Sequence, residues 1–239
     1  MPADAMATLT APNAESAKQF DVVRNAAADA GFAKGMSTGM GQYEAALAPT
    51  KTKLFNKLLS ALPSDDATVV ELGMGTFPNA PYFRGNGNLD IVGVDPNDSM
   101  EAFARKAAKA NGLSVRVAHG VGEALPFASG SVDAVVCTLT LCSVEAPGRV
   151  LDEVARVLKP GSGRFLFCEH VLSETDPLLA AQQRALTPAQ VISADGCHLD
   201  RRTLETIKAA ERFKEVDATY FDLQGFYILN PTVAGIARV

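Results

Sequence analysis

The chain has 239 residues, which is long enough for one α/β domain with a substantial core. It carries 22 Lys and Arg residues against 27 Asp and Glu residues, and its net charge of −5 without any basic block argues against a nucleic-acid partner. No apolar run approaches the ~20 residues of a membrane-spanning helix, and the N-terminus lacks the features of a secretory signal, so we expect no integral membrane segment.

The first 42 residues are predicted to form a flexible N-terminal segment. Residues 1 to about 35 are rich in alanine, and at most a loose helix is expected over residues 17–30. Residues 31–41 contain four glycines, a composition that favours a mobile hinge or loop. Such a segment is a possible lid over a binding site.

Residues 43–239 are predicted to form one domain in which strands and helices alternate. The predicted strands are 68–72, 89–94, 114–118, 132–139, 164–169, 213–220 and 225–239. The predicted helices are 43–62 with a break near Pro49, a helix capped by Asp98, then 147–158, 178–185 and 200–212. This order predicts a doubly wound, Rossmann-like α/β fold with a seven-stranded sheet, mainly parallel with an antiparallel C-terminal strand.

The first of these strands ends in the turn ELGMG at residues 71–75. Glycines at Gly73 and Gly75 let backbone N–H groups approach a ligand closely. Asp95 follows Glu71 by 24 residues, at the tip of the second strand, where a carboxylate can accept two hydrogen bonds from a ribose diol. The pattern predicts a ligand that contains a nucleoside, although a Gly-x-Gly pair by itself often serves only as a tight turn.

Two residues of the turn favour S-adenosylmethionine over NAD as this ligand. Phe77, followed by Pro78, stands where a dinucleotide-binding turn has its third glycine, and this disfavours close approach of a pyrophosphate. Glu71 opens the turn with a carboxylate, which suits the cationic amino-acid end of S-adenosylmethionine.

These motifs resemble those of the class I S-adenosylmethionine-dependent methyltransferases. The matching segments are VVELGMG (69–75), GVDPN (93–97), GVGEALPFASGSVDAVVCTLTLCSV (120–144), RVLKPG (156–161) and FCEHV (167–171). Within that superfamily, the CTLTLCSV, CEH and DGCHLDR (195–201) segments are most similar to the methyltransferase-like thiol S-methyltransferases, and the similarity covers residues 43–239. Phe77 departs from the usual small residue. Residues 1–42 do not resemble the hydrophobic N-terminal membrane segment of that family, so we do not expect membrane association to transfer.

The resemblance implies a set of cofactor-binding residues in the turns and at the strand ends. Asp95 would hold the ribose hydroxyls, Gly122 and Glu123 would border the adenine, and Thr138 would lie near the methionine arm. The complete candidate set is Glu71, Gly73, Gly75, Asp95, Pro96, Gly122, Glu123 and Thr138.

The same resemblance implies transfer of a methyl group to a small-molecule thiol. The free thiol has a pKa of ~8.5, so modest help in forming the thiolate is sufficient. His170, after the fifth strand, is a candidate base or orienting group, and the alternative is a structural pair with Glu169. Asp195 is a second catalytic candidate, and the alternative is a turn-forming Asp-Gly. No metal site is expected.

The chain has four cysteines and no CxxC pair, which is typical of a cytoplasmic protein whose thiols are reduced. Cys137 is expected in the core. If Cys142, Cys168 and Cys197 converge, they could bind a thiophilic substrate such as trivalent arsenic.

Two other functions and the assembly stay open at this point. The chain could be a C- or O-methyltransferase of a quinone-like or lipophilic small molecule, or a cofactor-binding protein without turnover. The oligomeric state is not determined by the sequence.

Overall fold

A computed structural model describes residues 8–63, 66–86 and 88–239. The strands are β1 (Thr68–Leu72), β2 (Asp90–Asp95), β3 (Val115–His119), β4 (Ala134–Thr138), β5 (Arg164–His170), β6 (Glu215–Phe221) and β7 (Thr232–Arg238). They form one sheet in the order β3-β2-β1-β4-β5-β7-β6, in which β7 alone runs antiparallel to its neighbours. The predicted seven-stranded, mainly parallel sheet is confirmed.

Helices cover both faces of this sheet. They are α1 (Ala14–Phe20), α2 (Ala26–Gly39), α3 (Gly41–Leu59), α4 (Glu101–Ala110), α5 (Pro147–Val157), α6 (Pro177–Ser193) and α7 (Thr203–Ala209). Side chains alternate along a strand, so β1 directs Val70 into the core beneath α5 and α7 and directs Val69 into the core beneath α3 and α4. Within the described ranges, no helix has both the length and the apolarity to cross a membrane.

The prediction of a loop over residues 31–41 is wrong, because α2 continues through Gly31 and Gly35. Asn25 caps the helix by accepting hydrogen bonds from the backbone N–H groups of Ala27 and Ala28. Each glycine weakens a helix by about 1 kcal/mol relative to alanine. The Asn25 cap and the burial of Ala33 stabilise α2 against this cost. The predicted loose helix over residues 17–30 is instead two helices, α1 and α2. Residues 1–7 of the predicted flexible segment lie outside the described residues.

The predicted break at Pro49 is also wrong. Proline removes one backbone hydrogen bond from a helix, yet α3 runs through it from Gly41 to Leu59. Leu47 and Phe55, on either side of Pro49, are both fully buried against the sheet. This packing holds the two halves in one helix.

Four further elements have boundaries that differ from the predictions. Asn97, rather than Asp98, is the capping residue before α4, and a 3-10 turn lies between Asn97 and the start of α4. Helix α6 extends to Ser193, beyond the predicted end at residue 185, and α7 is shorter than predicted. The last strand begins at Thr232, later than predicted, because residues 225–231 form a loop that contains a short 3-10 turn.

Candidate functional site

The carboxyl ends of β1, β2 and β4 surround a cavity of about 310 Å³. The strand order reverses direction between β1 and β4, which is where ligands bind in open α/β sheets. The cavity size is within the range of small-molecule sites. Six of the eight predicted cofactor-binding residues line it: Gly73, Gly75, Asp95, Pro96, Gly122 and Glu123.

The glycine turn after β1 adopts the backbone conformation that its sequence predicts. Gly73 has a φ of +64°, and a Cβ atom there would lie 2.3 Å from Thr140 Oγ1. Any other residue would therefore displace Thr140 from the opposite wall of the cavity. Phe77, the departure from the family pattern, turns its ring into the core, where it packs near Phe83. The ring is therefore not part of the cavity lining.

Asp95 links the turn to the end of β2. Its Oδ2 atom accepts a hydrogen bond from the Gly75 N–H at 2.8 Å, and its Oδ1 atom accepts one from the Asn97 N–H at 2.9 Å. Burial raises the pKa of Asp95, and these two hydrogen bonds oppose that effect. Each carboxylate oxygen keeps a lone pair for a further donor. The group is held rigidly at the cavity and can accept hydrogen bonds from a diol.

Glu71 and Thr138 lie one layer behind the cavity. The amide nitrogen of Asn79 donates hydrogen bonds to both side chains. Burial raises the pKa of Glu71 to about 8, against the opposing effects of Asn79 and Lys51. Among the described residues, no group bonds the second carboxylate oxygen of Glu71 or the amide oxygen of Asn79. The predicted contact of Glu71 and Thr138 with a cofactor stays a prediction.

The N-terminal helices cover this cavity. The sequence suggested a flexible lid here but gave no sign of the residues that line the cavity. We call residues 20–36 the N-terminal cover. The Arg24 side chain bonds Asp29 within the cover and Asp195 on the other side, with 2.6 Å between Nη2 and the Asp195 carboxylate. The cover residues that line the cavity are Phe20, Asp21, Val22, Arg24, Phe32 and Met36.

Asp195 and Gly196 form a turn that also lines the cavity. Both have positive φ, and a Cβ atom on Gly196 would lie 2.8 Å from the Ser143 carbonyl oxygen. Asp195 therefore both lines the cavity and forms an Asp-Gly turn, while its predicted catalytic role stays a prediction.

His170 lies behind this wall and is almost fully buried. Its Nε2 atom is 3.2 Å from Cys197 Sγ, and in the described part of the chain nothing bonds its Nδ1 atom. The suggested structural pair of His170 with Glu169 is absent among the described residues. The Glu169 carboxylate instead accepts hydrogen bonds from the N–H groups of Thr140 and Leu141 at 2.9 and 3.0 Å.

Glu169 is a structural residue that sequence reasoning did not single out by itself. It is fully buried at the end of β5 and holds the turn after β4, which forms part of the cavity wall. Burial raises its pKa to about 7, while the backbone hydrogen bonds from Thr140 and Leu141 oppose the shift. Only its position in the CEH segment pointed to it.

Two of the three cysteines whose convergence the sequence left open lie close together. Cys137 is buried in the core, as predicted. Cys142 and Cys197 meet beside His170, while Cys168 packs in a separate apolar cluster with Tyr43. The sequence left open whether the three cysteines converge, and the structure separates Cys168 from the other two. The Cys142 thiol lowers the pKa of Cys197 by hydrogen bonding, burial opposes this, and His170 reinforces it.

Comparison with known proteins finds methyltransferases. Residues 70–167 match the family model described as a methyltransferase domain. Thiol S-methyltransferase TMT1B of Rattus norvegicus is 39% identical over 170 residues, which cover 70% of this chain and 68% of that protein. Thiol S-methyltransferase TMT1A of Homo sapiens is 39% identical over 174 residues, which cover 71% of this chain and 69% of that protein.

Solved structures show the same fold at lower identity. A chain from the complex of the Haloferax volcanii Trm112 methyltransferase activator with a methyltransferase superposes with a TM-score of 0.65 at 20% identity, covering 91% of this chain and 99% of that one. An S-adenosylmethionine-dependent methyltransferase from Thermotoga maritima superposes with a TM-score of 0.54 at 20% identity, covering 87% and 99%.

Proposed function

The chain belongs to the class I S-adenosylmethionine-dependent methyltransferases, and we propose that it transfers a methyl group to a small-molecule thiol. The observation that carries the proposal is the 39% identity with thiol S-methyltransferases over about 70% of the chain.

The residues around the cavity fit S-adenosylmethionine. The side chains that line it include five carboxylates against one guanidinium, so the cavity favours a ligand with a net positive charge. S-adenosylmethionine carries a sulfonium and an ammonium group. Asp95 is available to the ribose hydroxyls, and Gly73 leaves room for close approach of the backbone. The five carboxylates belong to Asp21, Asp95, Glu123, Glu145 and Asp195.

When bound, the cofactor supplies an electrophilic methyl group on a sulfonium. The protein then has to align the acceptor sulfur with that group and exclude water. Phe32 and Met36 of the N-terminal cover and Leu139 provide apolar walls for this purpose. The Asp195 carboxylate faces the cavity and can accept the proton of an acceptor thiol, while Arg24 orients it.

Of the two roles that the sequence suggests for His170, base or orienting group, we propose the second. His170 is not part of the cavity lining, and its Nε2 atom faces Cys197 Sγ at 3.2 Å. The turn at Cys197 carries Asp195 and Gly196 to the cavity.

A transfer assay tests the proposed function. The purified chain is incubated with methyl-labelled S-adenosylmethionine and with a panel of thiols, phenols, quinols and amines, and the products are identified by mass spectrometry. We expect label on sulfur, lost in Asp95→Ala and kept in Asp152→Ala, a surface carboxylate distant from the cavity lining. Transfer only to oxygen or carbon would overturn the thiol assignment, and cofactor binding without any product would favour a protein without turnover.

A cytoplasmic location is a further part of the proposal. It is supported by four buried cysteines that form no disulfide in the described ranges, as is usual in a reducing compartment. Fractionation of the source cells with an antibody to the chain tests it, and recovery outside the cytoplasmic fraction would contradict it.

A further inference from the structure

Cys142, His170 and Cys197 form a buried cluster that the proposed methyl transfer does not use. One ligand atom from each residue lies within 4.8 Å of the other two. The exposed fractions are 2% for Cys142, 3% for His170 and 8% for Cys197. Two sulfurs and an imidazole nitrogen thus converge inside the protein.

Three separate parts of the chain bring these side chains together. Cys142 lies in the turn after β4, His170 ends β5, and Cys197 follows α6. The two turns are joined by a backbone hydrogen bond from the His198 N–H to the Cys142 carbonyl oxygen at 2.9 Å. The Cys142 end is further held by Glu169. These hydrogen bonds hold the two cysteine-bearing turns next to each other.

We propose that this cluster is a binding site for a thiophilic divalent cation, with Zn²⁺ as the best match. Zn²⁺ takes cysteine sulfur at about 2.3 Å and histidine nitrogen at about 2.0–2.1 Å. Tetrahedral angles then require ligand atoms roughly 3.5–3.8 Å apart. The cluster needs adjustments of about 1 Å, because Cys197 Sγ is 3.2 Å from His170 Nε2 and all separations stay within 4.8 Å.

The donor set favours zinc over trivalent arsenic. Soft thiolate ligands suit both, but imidazole suits zinc and other late first-row metals. Cys168, which could have supplied a third sulfur, is packed with Tyr43 and Leu47 in another cluster. Three protein ligands leave one position open, and Ser143 Oγ, 3.7 Å from Cys142 Sγ, is a donor close at hand.

The ion would fasten two turns that both line the cavity. Ser143 follows Cys142, and Gly196 precedes Cys197. Metal binding at the cluster would therefore fix the position of Asp195 relative to the turn after β4. This inference does not depend on the identity of the methyl acceptor.

Metal analysis of the purified full chain tests the site. After growth with added zinc, we expect one zinc per chain by elemental mass spectrometry. Replacement by Co²⁺ should produce thiolate-to-metal charge-transfer absorption and the visible bands of a tetrahedral site. Cys142→Ser and Cys197→Ser should each weaken binding at least about tenfold, whereas Cys168→Ser, a buried cysteine outside the cluster, should bind like the wild type.

The Co²⁺ spectrum of the wild type keeps the test independent of variant folding, and circular dichroism identifies variants that have lost structure. Absence of zinc together with absence of a thiolate–cobalt band in the wild type would overturn the proposal. So would full retention of zinc in a folded Cys142→Ser, Cys197→Ser double variant. None of these measurements uses a methyl acceptor, so failure of the metal site and failure of thiol methylation are distinguishable.

Discussion

Arg24 and Asp195 are joined by an ion pair with 2.6 Å between Nη2 and Oδ1, although 171 positions separate them in the chain. The pKa of Arg24 lies above its ordinary value, first because of Asp29 and then because of Asp195, while burial opposes the shift. Asp29 also contacts the segment that follows β2, since its carbonyl oxygen accepts a hydrogen bond from the Asn97 side chain at 3.1 Å. The N-terminal cover is therefore fastened on two sides of the cavity.

Removal of this ion pair should loosen the cover. For Arg24→Ala we expect a several-fold rise in KM for S-adenosylmethionine and faster proteolysis of the first 40 residues, since the cover must then be ordered on binding. The free energy of unfolding should change by less than about 1 kcal/mol, because the pair is partly solvated. Steady-state kinetics and limited proteolysis measure both effects.

Two variants control this experiment. Arg24→Lys should hold the cover less firmly than the wild type but better than Arg24→Ala, because lysine cannot bridge two carboxylates with a planar fork. Arg212→Ala breaks a surface pair with Asp152 and should leave KM unchanged. An unchanged KM in Arg24→Ala would show that the ion pair does not hold the cover.

Asp95 should dominate cofactor affinity. For Asp95→Ala we expect a loss of roughly 10–100-fold in the binding constant for S-adenosylmethionine, the usual magnitude for hydrogen bonds to a charged acceptor. Isothermal titration calorimetry measures this directly. Glu101→Ala, an exposed carboxylate at the start of α4, serves as the matched control. Equal affinities for the two variants would contradict the ribose-binding role of Asp95.

Glu71 should make the stability of the free protein depend on pH. Its folded pKa of about 8 exceeds the unfolded value of about 4.3, so the folded state binds the proton more tightly. The stabilisation is complete below the unfolded pKa and is lost as pH rises through the folded pKa. Glu71→Gln cannot lose a proton and keeps an acceptor for Asn79.

The variant should therefore gain stability relative to the wild type between pH 5.5 and 8.5, by at least about 1 kcal/mol. Urea unfolding of both proteins at the two pH values measures the difference. The raised pKa of Glu169 affects both proteins equally and cancels in the comparison. If the two free energies of unfolding differ by the same amount at both pH values, Glu71 is not protonated near pH 7 in the folded protein.

His119 should couple the cover to pH. Its ring nitrogens contact Asp98 at 2.7 Å and Asp21 of the cover at 3.0 Å. Partial burial lowers the pKa of His119, but the bonds to Asp98 and Asp21 outweigh it and raise the pKa above its usual value. The imidazolium attraction is present below about pH 6.5 and is lost as pH rises through the raised pKa.

Hydrogen exchange of residues 14–25 should therefore accelerate from pH 6 to pH 8.5 by more than the intrinsic change in exchange rate. In His119→Asn this additional dependence should disappear, and Asp21→Asn should reduce it in the same way. Identical pH profiles for the wild type and His119→Asn would show that the histidine does not hold the cover.

Local patterns in the sequence determined the sheet and the cofactor edge. Short apolar strands, the positive-φ glycines after β1 and a carboxylate at the tip of β2 each leave a signature within a few neighbouring residues. For this reason the five strands from β1 to β5 end within two residues of their predicted positions. Six of the eight predicted cofactor residues also line the cavity.

Only the tertiary structure decided what closes the cavity and what lies behind its wall. The contact between Arg24 and Asp195 and the convergence of Cys142 and Cys197 with His170 join distant parts of the chain and leave no periodic pattern. The glycine-rich helix α2 is a case in which tertiary packing outweighs local helix propensity. Long-range contacts decide these features because their free energy depends on which surfaces meet, and the order of residues along one segment does not contain that information.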